Sequence, residues 1–145
     1  KYGRKVSLGK PLGRLMAHGC QEFLKECPVD LIVPVPLHPK RLRWRGFNQS
    51  LLLARQVSRL YEVAVDPFVL CRDRETAPQT ELTEDERRRN VRGAFAIQSG
   101  RSLKRESVLL VDDVYTSGAT VNECSRALLR GGAKAVYVLT LARTI

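Results

Sequence analysis

The chain lacks any apolar run approaching the roughly 20 residues that a membrane-spanning helix needs. It also lacks the basic, apolar and small-residue order of a secretory signal, so a cytoplasmic location is expected. Its four cysteines, Cys20, Cys27, Cys71 and Cys124, form no C-x-x-C pair, which argues against a zinc site within the chain. A reducing compartment argues against disulfides. Cys20 and Cys124 fall on apolar helix faces and are expected in the core rather than as reactive thiols. There is no G-x-x-x-x-G-K-[ST], hence no Walker-type nucleotide loop. No G-x-G-x-x-G follows a strand, hence no dinucleotide fold, and no internal repeat is present.

What is there suits one globular domain over residues 1–145. The composition is 43% hydrophobic and 28% charged, too apolar for a disordered segment. The length suffices for a sheet covered by helices. The chain opens Lys1-Tyr2-Gly3, like the interior of a longer sequence. The net charge is +10, concentrated at Lys40-Arg41-Leu42-Arg43-Trp44-Arg45 and Arg87-Arg88-Arg89-Asn90-Val91-Arg92. Such clusters attract nucleic acid, acidic partners or phosphorylated ligands, or form a solvated face.

Apolar residues recur at helical spacing from Leu12 to Leu24, predicting a helix from Pro11 to about Cys27. Asp30 to Pro36 is a short apolar run ended by prolines, a buried strand leading into a fixed loop. A second helix is predicted from Asn48, its N-cap, to Tyr61. Val63 to Cys71 is expected to be one strand, bent at Asp66-Pro67, and Arg72 to Leu82 a mobile polar loop. Thr83-Glu84-Asp85-Glu86 is a capping box opening a helix that Gly93 ends, with Ala94 to Ile97 as an edge strand. A strand Ser107–Val111, a helix Thr120–Leu129 stopped by Gly131-Gly132, and a strand Ala135–Leu141 complete the chain. The alternation predicts an α/β fold: a doubly wound, mostly parallel sheet with helices on both faces.

Ligands of such sheets bind beyond the carboxyl ends of the strands. There, after Val108-Leu109-Leu110-Val111, stand Asp112 and Asp113. Paired carboxylates at an apolar strand end are costly unless solvated or engaged. They accept hydrogen bonds from sugar hydroxyls or help hold a cation. Thr116, Ser117, Gly118, Ala119 and Thr120 then lead into a helix whose N-terminal N–H groups and dipole suit a phosphate. Gly118 permits close backbone approach. One ribose 5-phosphate would span both ends. A response-regulator receiver also pairs aspartates at a strand end, but its pair lies early, with about 90 residues to follow for an ordinary domain size. Here 25 residues follow Thr120.

VLLVDDVYTSGAT, Val108 to Thr120, resembles the phosphoribosyl-binding motif of type I phosphoribosyltransferases. Val33-Pro34-Val35-Pro36-Leu37, Arg45-Gly46-Phe47-Asn48-Gln49, Gln79, Arg87 and Asn90 to Phe95 narrow the resemblance to the ComF/GntX branch, associated with DNA uptake in competence. The resemblance implies 5-phosphoribosyl diphosphate (PRPP) as ligand, with Asp112 and Asp113 on the ribose and Thr116 to Thr120 around the 5-phosphate. Pro36, Leu37 and His38 would fall in the diphosphate loop, where Lys40 and Arg41 would neutralise charge. Arg72, Arg74 and Gln79 would fall in the flexible loop that closes the site. Mg²⁺ would be held through PRPP, near Asp112 and Asp113, rather than by a protein cage. The family's usual cysteine-rich, zinc-ribbon-like N-terminal part is not in this sequence.

Two functions follow: phosphoribosyl transfer to an unidentified acceptor, no residue standing out as its general base, or a non-catalytic scaffold that binds nucleotides or single-stranded DNA beside a helicase-like competence partner. Family members are often homodimers. Smaller signals stay open. His38 is a phosphate donor or a surface residue, and His18 is structural. Arg45 to Gln49 is a capped loop with Phe47 as a staple, or a phosphate or partner contact. Trp44 is expected to pack against its helix, base stacking being the alternative.

Overall fold

The computed structural model describes residues 9–74 and 84–144. Along the chain run α1 (Gly9–Gly19), α2 (Gln21–Glu26), β1 (Leu31–Pro34), α3 (Pro39–Arg45), α4 (Gln49–Tyr61), β2 (Leu70–Arg72), α5 (Glu84–Val91), β3 (Phe95–Ile97), β4 (Ser107–Tyr115), α6 (Ala119–Arg130) and β5 (Ala135–Arg143). Three strands form a parallel sheet in the order β1-β4-β5. Its register is pinned at the β1 entrance, where Asp30 N donates to Ser107 O at 2.9 Å and the Asp30 carboxylate accepts from Ser107 N at 2.7 Å.

The first six residues of β4 are all buried, without alternation, because helices cover both faces. On one face Met16, Ala17, Leu53, Ala54 and Val57 of α1 and α4 pack on Ile32, Leu109 and Val111. On the other, Val121, Cys124 and Leu128 of α6 meet Val33, Val108 and Leu110. Each fully buried Leu or Ile contributes roughly 1.5–3 kcal/mol over leaving it exposed. This is the doubly wound arrangement expected, with Cys20 and Cys124 buried in it.

Four local expectations need correction. The first helix is two, broken where Cys20 leaves helical geometry after Gly19, its thiol donating to Ala17 O at 3.2 Å. The loop after β1 contains α3: His38 caps it, Pro39 sits in its first turn, and Gly46 closes it at φ +80°. Val63 to Cys71 is not one strand. Val65 bridges Ile32 on the outer edge of β1, with Ile32 N donating to Ala64 O and Asp66 N to Ile32 O. Pro67 cannot extend that ladder, and Asp66 turns the chain by accepting from Phe68 N at 2.8 Å. The chain then enters a separate antiparallel pair, β2 with β3, which also claims the expected edge strand. Finally, β4 runs on to Tyr115 because β5 accompanies it as far as Arg143. Thr83 of the capping box and Gln79 lie outside the described residues, as does the side chain of Arg87.

Candidate functional site

The site forms where one neighbour of β4 turns away and the other does not. β1 ends at Pro34, opposite Val111; Val35 N still donates to Val111 O at 2.9 Å, and then Pro36 leads the chain off. β4 continues against β5 alone, so Asp112 and Asp113 sit inside the strand, not beyond it. The start of α4 fills part of the side β1 has left. Ser50 Oγ donates to Asp112 Oδ1 at 3.0 Å, and Gln49 Nε2 donates to Asp113 Oδ2 at 3.0 Å. Asn48 fixes both neighbours in place: its Oδ1 accepts from Ser50 N and its Nδ2 donates to Val35 O, each at 3.0 Å.

The two carboxylates differ. Asp112 is 9% exposed, and its pKa is pushed up to about 7. Burial is the main cause and the Asp113 charge the next; the Asp113 N–H and the Ser50 hydroxyl oppose it. Asp113 is less buried and accepts from Gln49 and from Val114 N at 2.9 Å.

Across the pocket, Gly118 ends the loop and caps α6 at φ +75°, with no side-chain cap hydrogen bond. A Cβ there would stand 2.4 Å from the Tyr115 hydroxyl oxygen, so backbone and space both call for glycine. Tyr115 is held by Arg143, whose guanidinium lies 5.6 Å from the ring centre. Ser117 Oγ is buried with no hydrogen-bond partner, next to an uncapped helix start. Such an atom costs about 1–3 kcal/mol until something donates to it or accepts from it.

Gln49, Ser50, Asp112, Asp113, Tyr115 and Gly118 line one pocket of about 510 Å³, while Ser117 lies behind its lining. Among the described residues no three His, Cys, Asp or Glu gather as a metal cage. Two neighbouring carboxylates are nevertheless what Mg²⁺ uses when substrate phosphates supply its other oxygens, so the donor set fits that ion.

No family model matches the chain. Among curated proteins it is 38% identical over 149 residues to the DNA utilization protein YhgH of Escherichia coli K12, covering 100% of this chain and 64% of that one. It is 37% identical over 147 residues to Competence protein F of Haemophilus influenzae, covering 99% and 64%. The chain thus spans just under two thirds of the length of these relatives. Its fold matches the crystal structure of a purine phosphoribosyltransferase from Pyrococcus horikoshii at a TM-score of 0.57 and 20% identity, over 91% of this chain and 73% of that one. The chain is similar to ComF-like proteins over nearly its whole length, and its fold is that of type I phosphoribosyltransferases.

In this ComF-like chain the structure brings together Asp112, Asp113, Thr116, Gly118, Thr120, Pro36, Leu37 and Arg41 around the pocket. Ala119 is buried as the first residue of α6. His38 and Lys40 do not line the pocket: the His38 ring is turned to cap α3, accepting from Lys40 N at 3.3 Å, and Lys40 is exposed. Arg72 is not a loop residue. It ends β2, is 7% exposed, lines the pocket, and lies 5.2 Å from the centre of the Phe95 ring on the paired strand. Burial lowers its pKa, and the nearby Arg41 charge lowers it further, against the pull of Cys124 and Asp112. Arg74 is tied down too, donating to Asn90 O and Arg92 O at 2.8 and 2.9 Å.

Trp44 is not buried against its helix as expected: it is 72% exposed at the pocket, on a helix that buries none of its residues. Sequence reasoning missed Gln49 and Ser50 as partners of the acidic pair. The available signal was their place directly after an N-cap, on a helix returning from β1 to the same sheet end. Among the described residues no helix is long and apolar enough to cross a membrane.

Proposed function

We propose that the chain binds PRPP with Mg²⁺ and transfers its phosphoribosyl group to a nucleophilic acceptor. The observation that supports this best is the pairing, in one pocket, of the Asp112–Asp113 carboxylates with the uncapped α6 start. The sugar hydroxyls face the Asp112–Asp113 pair, the less buried Asp113 accepting from one of them. The 5-phosphate sits against the N–H groups and hydroxyls of Thr116 to Thr120, with Ser117 Oγ gaining a partner. Arg41 and Arg72 face the leaving diphosphate as fixed positive charge. When bound, Mg²⁺ draws charge off the diphosphate oxygens. The bond from the anomeric carbon to the diphosphate oxygen breaks with its electron pair on diphosphate. The acceptor lone pair forms the new bond, and its proton passes to solvent. The residues act by positioning and electrostatics.

PRPP with Mg²⁺ at millimolar concentration should raise the melting temperature of the full-length protein, and diphosphate should be released when a panel of nucleobases and amines is supplied. Asp113→Asn should lower the ligand-induced shift by more than half. No shift with the wild type would overturn the binding reading. A shift without turnover on any acceptor would leave a non-catalytic nucleotide-binding scaffold.

A second reading is favoured by Trp44, whose ring is exposed beside the half-buried Arg41 and Arg45. An exposed indole among arginines suits a stacked base of single-stranded DNA. Oligonucleotide affinity that falls steeply with salt, and falls again in Trp44→Ala, is the expected result. Affinity indifferent to salt would exclude it.

A further inference from the structure

The segment Asn48-Gln49-Ser50 is tied to the acidic pair by side chains 64 and 62 residues apart. Asn48 and Ser50 have structural reasons to be there, a helix cap and a hydrogen bond to a buried carboxylate. Gln49 is different. Its amide nitrogen donates to Asp113, while its amide oxygen Oε1 is buried with no hydrogen-bond partner. The Asp113 contact decides which end of the amide is which, since a carboxylate oxygen needs a donor. The lone acceptor is therefore real, at the usual cost of about 1–3 kcal/mol. It lies on a residue lining the pocket, one amide bond angle away from the atom that holds Asp113.

We infer that Gln49 is a specificity-determining residue that reads the sugar: Oε1 accepts a hydrogen bond from one hydroxyl of a cis-diol whose other hydroxyl donates to Asp113. The inference rests on the phosphoribosyl reading above. It adds a selection for ribose over deoxyribose, made by a side chain outside the acidic motif. A cis-diol offers two adjacent donors, and Asp113 with Gln49 Oε1 offers two adjacent acceptors. The terminal amide torsion is broad, so a small swing exposes Oε1 to an incoming hydroxyl without breaking a strong rotamer preference. A sugar lacking that hydroxyl leaves Oε1 as it stands, and the discrimination arises from the unpaired group as much as from the bond gained.

The test is calorimetric binding of ribose 5-phosphate, 2-deoxyribose 5-phosphate and 3-deoxyribose 5-phosphate to the full-length protein, wild type against Gln49→Met. Met keeps the length and loses both polar atoms. The wild type should bind both deoxy sugars more weakly than ribose 5-phosphate. In Gln49→Met the preference over one of the two should fall by about five- to tenfold. Gln49→Asn, which keeps the amide but shortens its reach, should behave like Gln49→Met and serves if the latter does not fold. A merely structural role would weaken all three sugars in parallel, leaving both preferences unchanged, and would overturn the inference while the phosphoribosyl reading stood. Failure of the wild type to bind any of the three would overturn both.

Discussion

Two helices begin at the pocket that holds the acidic pair, and their starts are finished in opposite ways. The α4 start is closed: Asn48 caps it from extended geometry, and the next two side chains are spent on Asp113 and Asp112. The α6 start is open: a left-handed glycine stands where a capping side chain would be, and the hydroxyl beside it has no partner. Both have the positive dipole end that attracts anions. The first holds anions belonging to the protein; the second has the form suited to an anion that arrives. The difference is decided by single residues, Asn48 against Gly118, rather than by helix length, which is 13 residues against 12.

That contrast can be broken at three points. The largest effect is expected at Asp112, the anion that the closed helix holds. A carboxyl near pKa 7 when folded and near 4 when unfolded is neutral in both states below pH 4 and charged in both above pH 7. The folded state binds the extra proton in between, so stability falls as pH rises from 4 to 7. Asp112→Asn removes that fall, and should raise unfolding stability at pH 8 by up to about 4 kcal/mol while leaving pH 4 nearly unchanged. Denaturant melts of both proteins at the two pH values check this, and equal gains at both would refute it. The same variant should bind sugar phosphate less well, so it gains stability at the expense of function.

Next is the open end. Gly118→Ala places a methyl group against Tyr115 and forces a left-handed residue, with an expected cost of about 1–3 kcal/mol. It should also remove most of the stabilisation by PRPP, which a melting curve with and without ligand resolves. The smallest effect is expected at Asn48→Ala. Loss of the cap and of the Val35 tie should cost about 1–2 kcal/mol, with weaker ligand response arising only indirectly. A larger ligand defect in Asn48→Ala than in Gly118→Ala would reverse the comparison.

Much of this was legible in the sequence, and the limits have physical causes. The apolar run Val108–Val111 sits in a parallel sheet covered on both sides, as the alternation of strands and helices implied. The Gly118 loop was legible because a glycine before a helix permits close approach, and a Cβ there would indeed meet the Tyr115 hydroxyl. α3 escaped notice although Pro39 and Gly46 bracket it, because arginines fill it and it buries no residue to mark a face. The division of Val63–Arg72 between two sheets depends on partners near Ile32 and Phe95 that local pattern does not reveal. Arg72 read as a solvated loop cation because its companions, the Phe95 ring and the Asp112 carboxylate, are distant in sequence. The pairing of Gln49 with Asp113 and of Ser50 with Asp112 was hidden for the same reason, although Gln49 already stood among the open phosphate or partner contacts.

The small sheet is joined to the rest of the fold in a way that fixes Arg72. The chain enters it past Asp66 and leaves it past Gln98, whose N–H donates to Val69 O at 2.9 Å. Arg101 pairs with Asp66 across that entrance and exit, fastening one corner. Arg72 and Phe95 lie at the opposite end of the two short strands. That end is held as well: Phe95 packs in the core under α6, and Gly93 N, just before β3, donates to Glu123 of α6 at 2.9 Å. Arg72 therefore stands over the pocket like a bracket bolted at both ends, its guanidinium set by the scaffold rather than by its own reach.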